Sequence, residues 1–403
     1  MNVTERFLKL VSYHTTSDEQ SSTCPSTPNQ KVLGQEIVRQ MQEMGVEDAH
    51  MDDNGYVYGT IPATGKGPVI GLIAHMDTSP DASGENIKAR ITEPYDGGDV
   101  LLNKEKNLVL SPVEYPSLLG NVGKHLIVTD GTTLLGADDK AGVAEILSCA
   151  QALLQSDKPH GKVRIGITPD EEIGRGADLF DVKGFGADYA YTVDGGTLGE
   201  LEYENFNGAS CHVEVFGKSI HPGSARGKMV HAALLAMEFN SLLPAYEVPA
   251  CTDGYEGFFH LLESQGEVEH ATMDYIIRDH DWDKYQHRKE QMEAACRYMN
   301  EKYGEGTVQL TITDSYRNMK EKIVPHMYIV DRAKQAMQEC GVTPKVVPIR
   351  GGTDGARLSF EGLPCPNLCT GGENFHGRFE YVPVEDMETI VEILQHIVYN
   401  AAE

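Results

Sequence analysis

The sequence predicts an α/β chain in which one large domain is interrupted by a smaller inserted α+β domain. Three observations carry that expectation. The chain has 403 residues, more than one simple core supports, so two domains are the prior. Val69 to Ala74 is short and almost wholly apolar, which suits a central strand covered on both faces. Near Asn207-Gly208 the α/β pattern gives way to alternating, half-exposed strand patterns, and it returns near residue 321.

Taken in order, Gln30 to Met44 places Leu33, Ile37, Met41 and Met44 on one helical stripe, with Gly45 as the stop. Tyr56 to Ile61 reads as a strand after the turn signal Asn54-Gly55, and Val69 to Ala74 as the next. A helix follows at Gly142 to Leu154, then strands at Lys162 to Thr168 and Tyr189 to Val193. In the inserted segment, Ser210 to Phe216 alternates as a strand. Met229 to Leu243 reads as a helix with Val230, Ala233, Leu234 and Met237 on its apolar side. Strands at Glu269 to Ile277 and Thr307 to Thr313 flank a charged helix near Lys284 to Lys302. Beyond it come a helix at Val324 to Cys340, short strands at Lys345 to Ile349 and Asn367 to Cys369, and a tail helix carrying Ile390, Ile393, Leu394 and Ile397. The expected domains are therefore 1–207 with 321–403, and 208–320. No internal repeat is found.

Composition narrows the function. The 34 Lys and Arg against 61 Asp and Glu give a formal charge of −27, which disfavours a nucleic-acid binder. No apolar run is long enough for a membrane span, and MNVTERFLKL lacks the regions of a secretion signal, so a cytoplasmic protein with no membrane partner is expected. The eight cysteines are scattered and form no CxxC pair, so reduced thiols are expected, Cys365 and Cys369 included.

Candidate chemistry gathers at expected strand ends. In Ile70-Gly-Leu-Ile-Ala-His75-Met-Asp77 the strand period of two puts His75 and Asp77 on one face, where both can serve one metal centre; alone, the pair also fits a solvated loop. Asp138-Asp139-Lys140 opens a helix, and a single carboxylate there has two oxygens with which to bridge two metals. Asp residues also satisfy free donors at helix starts. Thr168-Pro-Asp170-Glu171-Glu172 follows a strand, and adjacent glutamates permit one to ligate a metal while the other accepts a proton; a solvated acidic turn is the alternative. Asp194 ends a strand before Gly195-Gly196, and His376 lies in the glycine-bearing segment Gly371 to Arg378. Together these form N/O donor sets suited to zinc, cobalt or manganese.

HMDTSP, LGADDKAG, TPDEEIGRG, TVDGG and GGENFHG occur in the order found in the M20 family of metallopeptidases, and the chain resembles that family over nearly its whole length. The resemblance implies a mixed-sheet zinc-peptidase catalytic domain interrupted by an α+β lid that can also form a homodimer. It implies two zinc ions per subunit, with cobalt or manganese as substitutes. His75 and Asp194 would bind the first, Glu172 and His376 the second, and Asp138 would bridge both across a cis Asp138-Asp139 peptide. Asp77 would orient His75, and Glu171 would be the general base. In the lid, His221 of Gly217-Lys-Ser-Ile-His221-Pro-Gly resembles a histidine that stabilises the oxyanion. Arg278, Arg350 and Asn374 are candidate contacts for the peptide; either arginine also suits an ordinary salt bridge.

The implied activity is removal of the N-terminal residue from tripeptides with a free amine, through attack of water assisted by Glu171. The same chemistry would serve an amidohydrolase of N-acyl amino acids or dipeptides. A metal-stabilised binding protein without catalysis is the reading from a different class; Glu171 beside Glu172 argues against it.

Overall fold

In the computed structural model, which describes residues 1–402, the apolar run becomes the strand Ile70–His75, and all six of its residues are buried. Burial on both faces follows from its neighbours. Val163–Thr168 pairs with it in parallel on one side and Tyr189–Gly195 on the other, and Asn367–Cys369 extends the parallel set beyond Tyr189–Gly195. Antiparallel Val57–Ile61 and Glu47–Met51 widen one edge, and Glu200–Glu202 with Lys345–Val346 the other, giving a mixed eight-stranded sheet.

Parallel strands must be joined by crossovers, so the segments leaving all four central strands emerge at one edge, where ligands collect in open α/β sheets. His75, Thr168, Asp194 and Cys369 stand at or beside those ends. The helix Ala137–Leu154 packs on the Ile70–His75 strand, flanked by Val3–Val11 and Val384–Tyr399. A second core containing Tyr56, Tyr58, Ile73, Phe180, Phe185 and Leu358 supplies further packing around the sheet. Gly142 has a steric duty. A Cβ there would lie 1.9 Å from the Val193 carbonyl oxygen, so only glycine lets the helix approach the Tyr189–Gly195 strand.

The stretch between the HMD and DDK motifs, to which the sequence assigned no element, builds a three-stranded sheet with the tail. Arg90–Ile91, Leu126–Val128 and Tyr381–Pro383 pair there, and Val100–Asn103 with Leu108–Leu110 forms a hairpin. Tyr95, Leu102, Leu110, Leu118, Leu126 and Tyr381 share its small core. The helices Val3–Val11 and Asp354–Phe360 also lacked a predicted counterpart.

Internal contacts divide the chain into two units. One comprises Met1–Tyr203, Glu321–Val347 and the residues from Thr353 on; the other comprises Glu204–Lys320 with Pro348–Gly352. The second is α+β: four antiparallel strands in the order Phe258–Gly266, His270–Asp279, Asn207–Phe216 and Val308–Tyr316, with the helices Ala232–Ser241 and Trp282–Tyr303 packed on them. The expected apolar side of the first helix is corrected here. Leu234 and Met237 are 58% and 67% exposed, and Ala232, Leu235, Ala236 and Phe239 enter the core instead, although Val230 does pack against it. All eight cysteines are free. Among the described residues no helix is long and apolar enough to cross a membrane.

Candidate metal centre

The ends of the parallel strands bring together the side chains expected to carry the chemistry. The His75 ring lies 2.9 Å through Nε2 from Asp138 Oδ1 and 3.3 Å from Asp194 Oδ1. His376 Nε2 lies 3.2 Å from the other oxygen of Asp138 and 2.9 Å from Glu172 Oε2. Asp138 therefore presents one oxygen to each histidine. Ligand atoms of His75, Asp138 and Glu172 lie within 4.8 Å of one another, as do those of His75, Glu171 and Asp194.

Local backbone chemistry sets these positions. Asp77 is fully buried, and its two oxygens accept the backbone N–H groups of Glu171 and Glu172 at 3.1 and 3.2 Å, while Oδ1 also lies 3.2 Å from His75 Nδ1. The Asp77 backbone carbonyl lies at the same 3.2 Å from Nδ1, so one residue fixes a ring and the adjacent glutamates together. The Asp138-Asp139 peptide is cis. Asp139 accepts the His75 N–H at 3.1 Å and the Gly142 N–H at 3.2 Å, which ties the helix start to the strand end.

Several contributors were not legible as site residues. Glu380 is buried and accepts three backbone N–H groups, from Leu135, Gly136 and Asp138, at 2.7, 2.9 and 3.1 Å. Asp170 has φ of 57° and accepts from the Ser26 N–H, the Ser26 hydroxyl and the Gln30 amide, a clamp set immediately before Glu171. Lys140 is buried and donates to the Tyr13 carbonyl at 2.7 Å, and burial lowers its pKa to about 7. Asp81 Oδ2 lies 3.1 Å from His376 Nδ1. The only advance signal for Asp81 and Glu380 was their nearness in sequence to His75 and His376.

The electrostatics record a surplus of negative charge. Burial, then Asp138, raises Glu172 to about 8; burial raises Asp194 to about 6; burial and Asp194 push Glu171 well above the usual carboxylate range. Burial opposes charge on Asp138 and on His75 as well, but the two histidines hold Asp138 low, and Asp194 and Asp138 hold His75 high. Asp138 and Glu172 lift His376 to about 11. Glu172 Oε1 is buried with no hydrogen-bond partner among the described residues. An N/O donor set with crowded carboxylates and an unpartnered oxygen fits divalent cations, which would offset the repulsion.

The remaining candidates have other local surroundings. Asn374 has φ of 58° and donates to the Phe379 carbonyl at 3.1 Å, closing its own loop. In the second unit, exposed His221 accepts the Gly223 N–H at 3.1 Å as the cap of a short turn. Arg278 donates to the Ala209 and Ile277 carbonyls and lies over the Tyr316 ring. Arg350 donates to the Thr252, Gly254 and Glu256 carbonyls and to the Thr252 hydroxyl. Hydrogen bonds within their own unit therefore engage both guanidinium groups.

Residues 130–400 match the model of peptidase family M20/M25/M40. The chain belongs to this family. Peptidase T of Caldanaerobacter subterraneus subsp. tengcongensis is 53% identical over 399 residues, 98% of each chain, and Peptidase T of Desulfitobacterium hafniense is 55% identical over 405 residues, covering 100% of this chain and 98% of that one. Aminopeptidase PepT from Bacillus cereus is similar in structure, with a TM-score of 0.79 and 26% identity over 100% of this chain and 98% of that one. A Staphylococcus aureus tripeptidase shares the fold, with a TM-score of 0.80 at 21% identity over 99% and 98%. This M20 peptidase is a hydrolase, and peptides are its substrate class.

Proposed function

We propose that this M20 peptidase removes the N-terminal residue from tripeptides bearing a free amine, at a centre holding two zinc ions. The observation that carries the reading is Asp138, whose two oxygens face different histidines, with Glu171 and Glu172 beside it. The name of a tripeptidase that shares the fold supports the substrate length. Asp138 would bridge the ions, with His75 and Asp194 on one and Glu172 and His376 on the other; cobalt or manganese are candidate substitutes. When bound, such ions supply Lewis acidity and lower the pKa of water.

Glu171 is the proton carrier of this scheme. Burial and Asp194 raise its proton affinity, so it can take a proton from the attacking water and return it to the departing amine. Asp77 holds the Glu171 backbone and the His75 ring in register during that exchange. His221 is assigned to oxyanion stabilisation, and Arg278, Arg350 and Asn374 to peptide binding. The 208–320 segment is assigned as the lid and as the surface of a homodimer, for which exposed Leu234 and Met237 offer apolar contact area. A cytoplasmic location suits the eight free thiols.

A digest of matched di-, tri- and tetrapeptides, free and N-acetylated, by the zinc-loaded protein tests the reading. Free tripeptides should lose their first residue fastest, and acetylation should stop cleavage. Faster cleavage of the acetylated set would turn the assignment toward an N-acyl amidohydrolase, and no hydrolysis anywhere toward a binding protein.

A further inference from the structure

The two histidines of the centre repeat one arrangement. His75 and His376 each turn Nε2 toward a different oxygen of Asp138, at 2.9 and 3.2 Å, and each turns Nδ1 toward a second carboxylate. For His75 that residue is Asp77, whose Oδ1 and backbone carbonyl both lie 3.2 Å from Nδ1; for His376 it is Asp81, whose Oδ2 lies 3.1 Å away. Both acceptors come from one short segment, His75-Met-Asp77-Thr-Ser-Pro-Asp81, so a single stretch of chain supplies one histidine and an acceptor for each ring.

From this repetition we propose that Asp81 is a positioning residue for His376, accepting its Nδ1–H so that Nε2 stays free of a proton and aimed at the second metal position. The proposal rests on the assignment of His376 as a ligand of that metal. A ligating imidazole needs its other nitrogen protonated, and an acceptor at that nitrogen fixes the tautomer, holds the ring and raises the basicity of the ligating atom. Among the described residues Asp81 is the hydrogen-bond partner of His376 Nδ1, while Asp138 and Glu172 both face Nε2.

The two pairs differ in setting, and the difference makes the proposal testable. Asp77 is fully buried and also anchors the Glu171 and Glu172 backbone, so its removal disturbs more than one ring. The Asp81 side chain is 68% exposed and that of His376 is 42% exposed. Replacing Asp81 therefore leaves the core intact, and its pairing with His376 is open to screening by salt.

The experiment is a zinc titration of the metal-free protein against a chromophoric chelator, for the wild type, Asp81→Asn, Asp81→Glu and His376→Ala. A parallel cobalt titration is followed by the visible absorption of the bound ion. The wild type should show two binding events and His376→Ala one. Asp81→Asn should weaken one event by ~10–100-fold and leave the other in place, with the second cobalt spectrum altered. Asp81→Glu should restore most of the loss, and added salt should weaken that event more than the other. Unchanged binding constants and spectra in Asp81→Asn, with His376→Ala still losing one event, would overturn the positioning role and leave the ligand assignment standing. Two undiminished events in His376→Ala would overturn both.

Discussion

The halves of the centre on either side of Asp138 are built in opposite ways. His75 is 2% exposed at the end of a strand whose residues are all buried, and its neighbours Asp77 and Asp139 are buried too. His376 belongs to a loop, has φ of 61°, and keeps 42% of its side chain exposed. The strand half is held by the sheet and by hydrogen bonds to backbone groups. The loop half is held by backbone hydrogen bonds of its own loop and by Asp138 and Glu172, which a cation would draw toward the ring, with Asp81 at the far nitrogen. Sites on regular elements are held more tightly than sites on loops, so the two halves should respond differently when the cations are withdrawn.

Removing the metals tests that difference with the largest expected effect. Chelation should abolish turnover, and amide exchange should rise across Gly371 to Arg378 while Ile70 to His75 stays protected. The protein should also melt earlier, since a ligand at 100 times its dissociation constant contributes about 2.7 kcal/mol to the folded state. An equal rise in exchange across both segments, read by mass spectrometry, would break the contrast.

Glu171→Ala should come next. Its turnover should drop by ~10²–10⁴-fold, the range for loss of a general base, with both metal-binding events retained. Metal loss in parallel with turnover would make Glu171 a ligand instead, and undiminished hydrolysis would remove it from the mechanism. Glu380→Gln should have a smaller effect. The glutamine keeps the shape but turns an N–H group toward some of the three backbone donors that Glu380 now accepts, loosening the turn that carries Asp138. Zinc affinity should fall by ~10-fold, as for partners that orient ligands. Unaltered affinity in a titration would confine Glu380 to folding.

The strand half was the more legible in sequence for a physical reason. A parallel strand buried on both faces must be apolar throughout, and the run Val69 to Ala74 announces this before His75 and Asp77 appear. His376 has no such frame: its loop is set by positive φ values and backbone hydrogen bonds, so the sequence offers it only as a histidine in a glycine-bearing segment, and the resemblance to a known family is what assigns it to the second metal. Glu380 and Asp170 were illegible because their main partners are backbone N–H groups or residues far away in the chain. The helix Ala232–Ser241 was read with its apolar side displaced. Leu234 and Met237 stand three residues apart and Leu235 and Phe239 four, both helical spacings, so periodicity alone does not choose between the two faces. Strands of two to four residues between 90 and 128 are too short for their alternation to register.

The smallest expected effect separates the burden of charge at the centre from burial as such. Glu145 lies on the same helix as Asp138, fully buried, and neither of its carboxyl oxygens has a hydrogen-bond partner among the described residues. Burial first, and Asp386 second, push its pKa well above the ordinary value of 4.5. The folded protein therefore holds a proton that the unfolded chain releases above about 4.5. The stability tied to that proton is complete below the unfolded value and is lost as pH rises toward the folded one. Glu145→Gln cannot ionise, so it should match the wild type closely at pH 4 and become the more stable of the two as pH rises. Its turnover should be unchanged, because Glu145 faces neither histidine. Urea unfolding at pH 4, 6 and 8 gives the comparison. A stability difference that stays constant with pH would show that the Glu145 proton is not what couples this helix to pH, and would leave the carboxyls around Asp138 as the source of any dependence that remains.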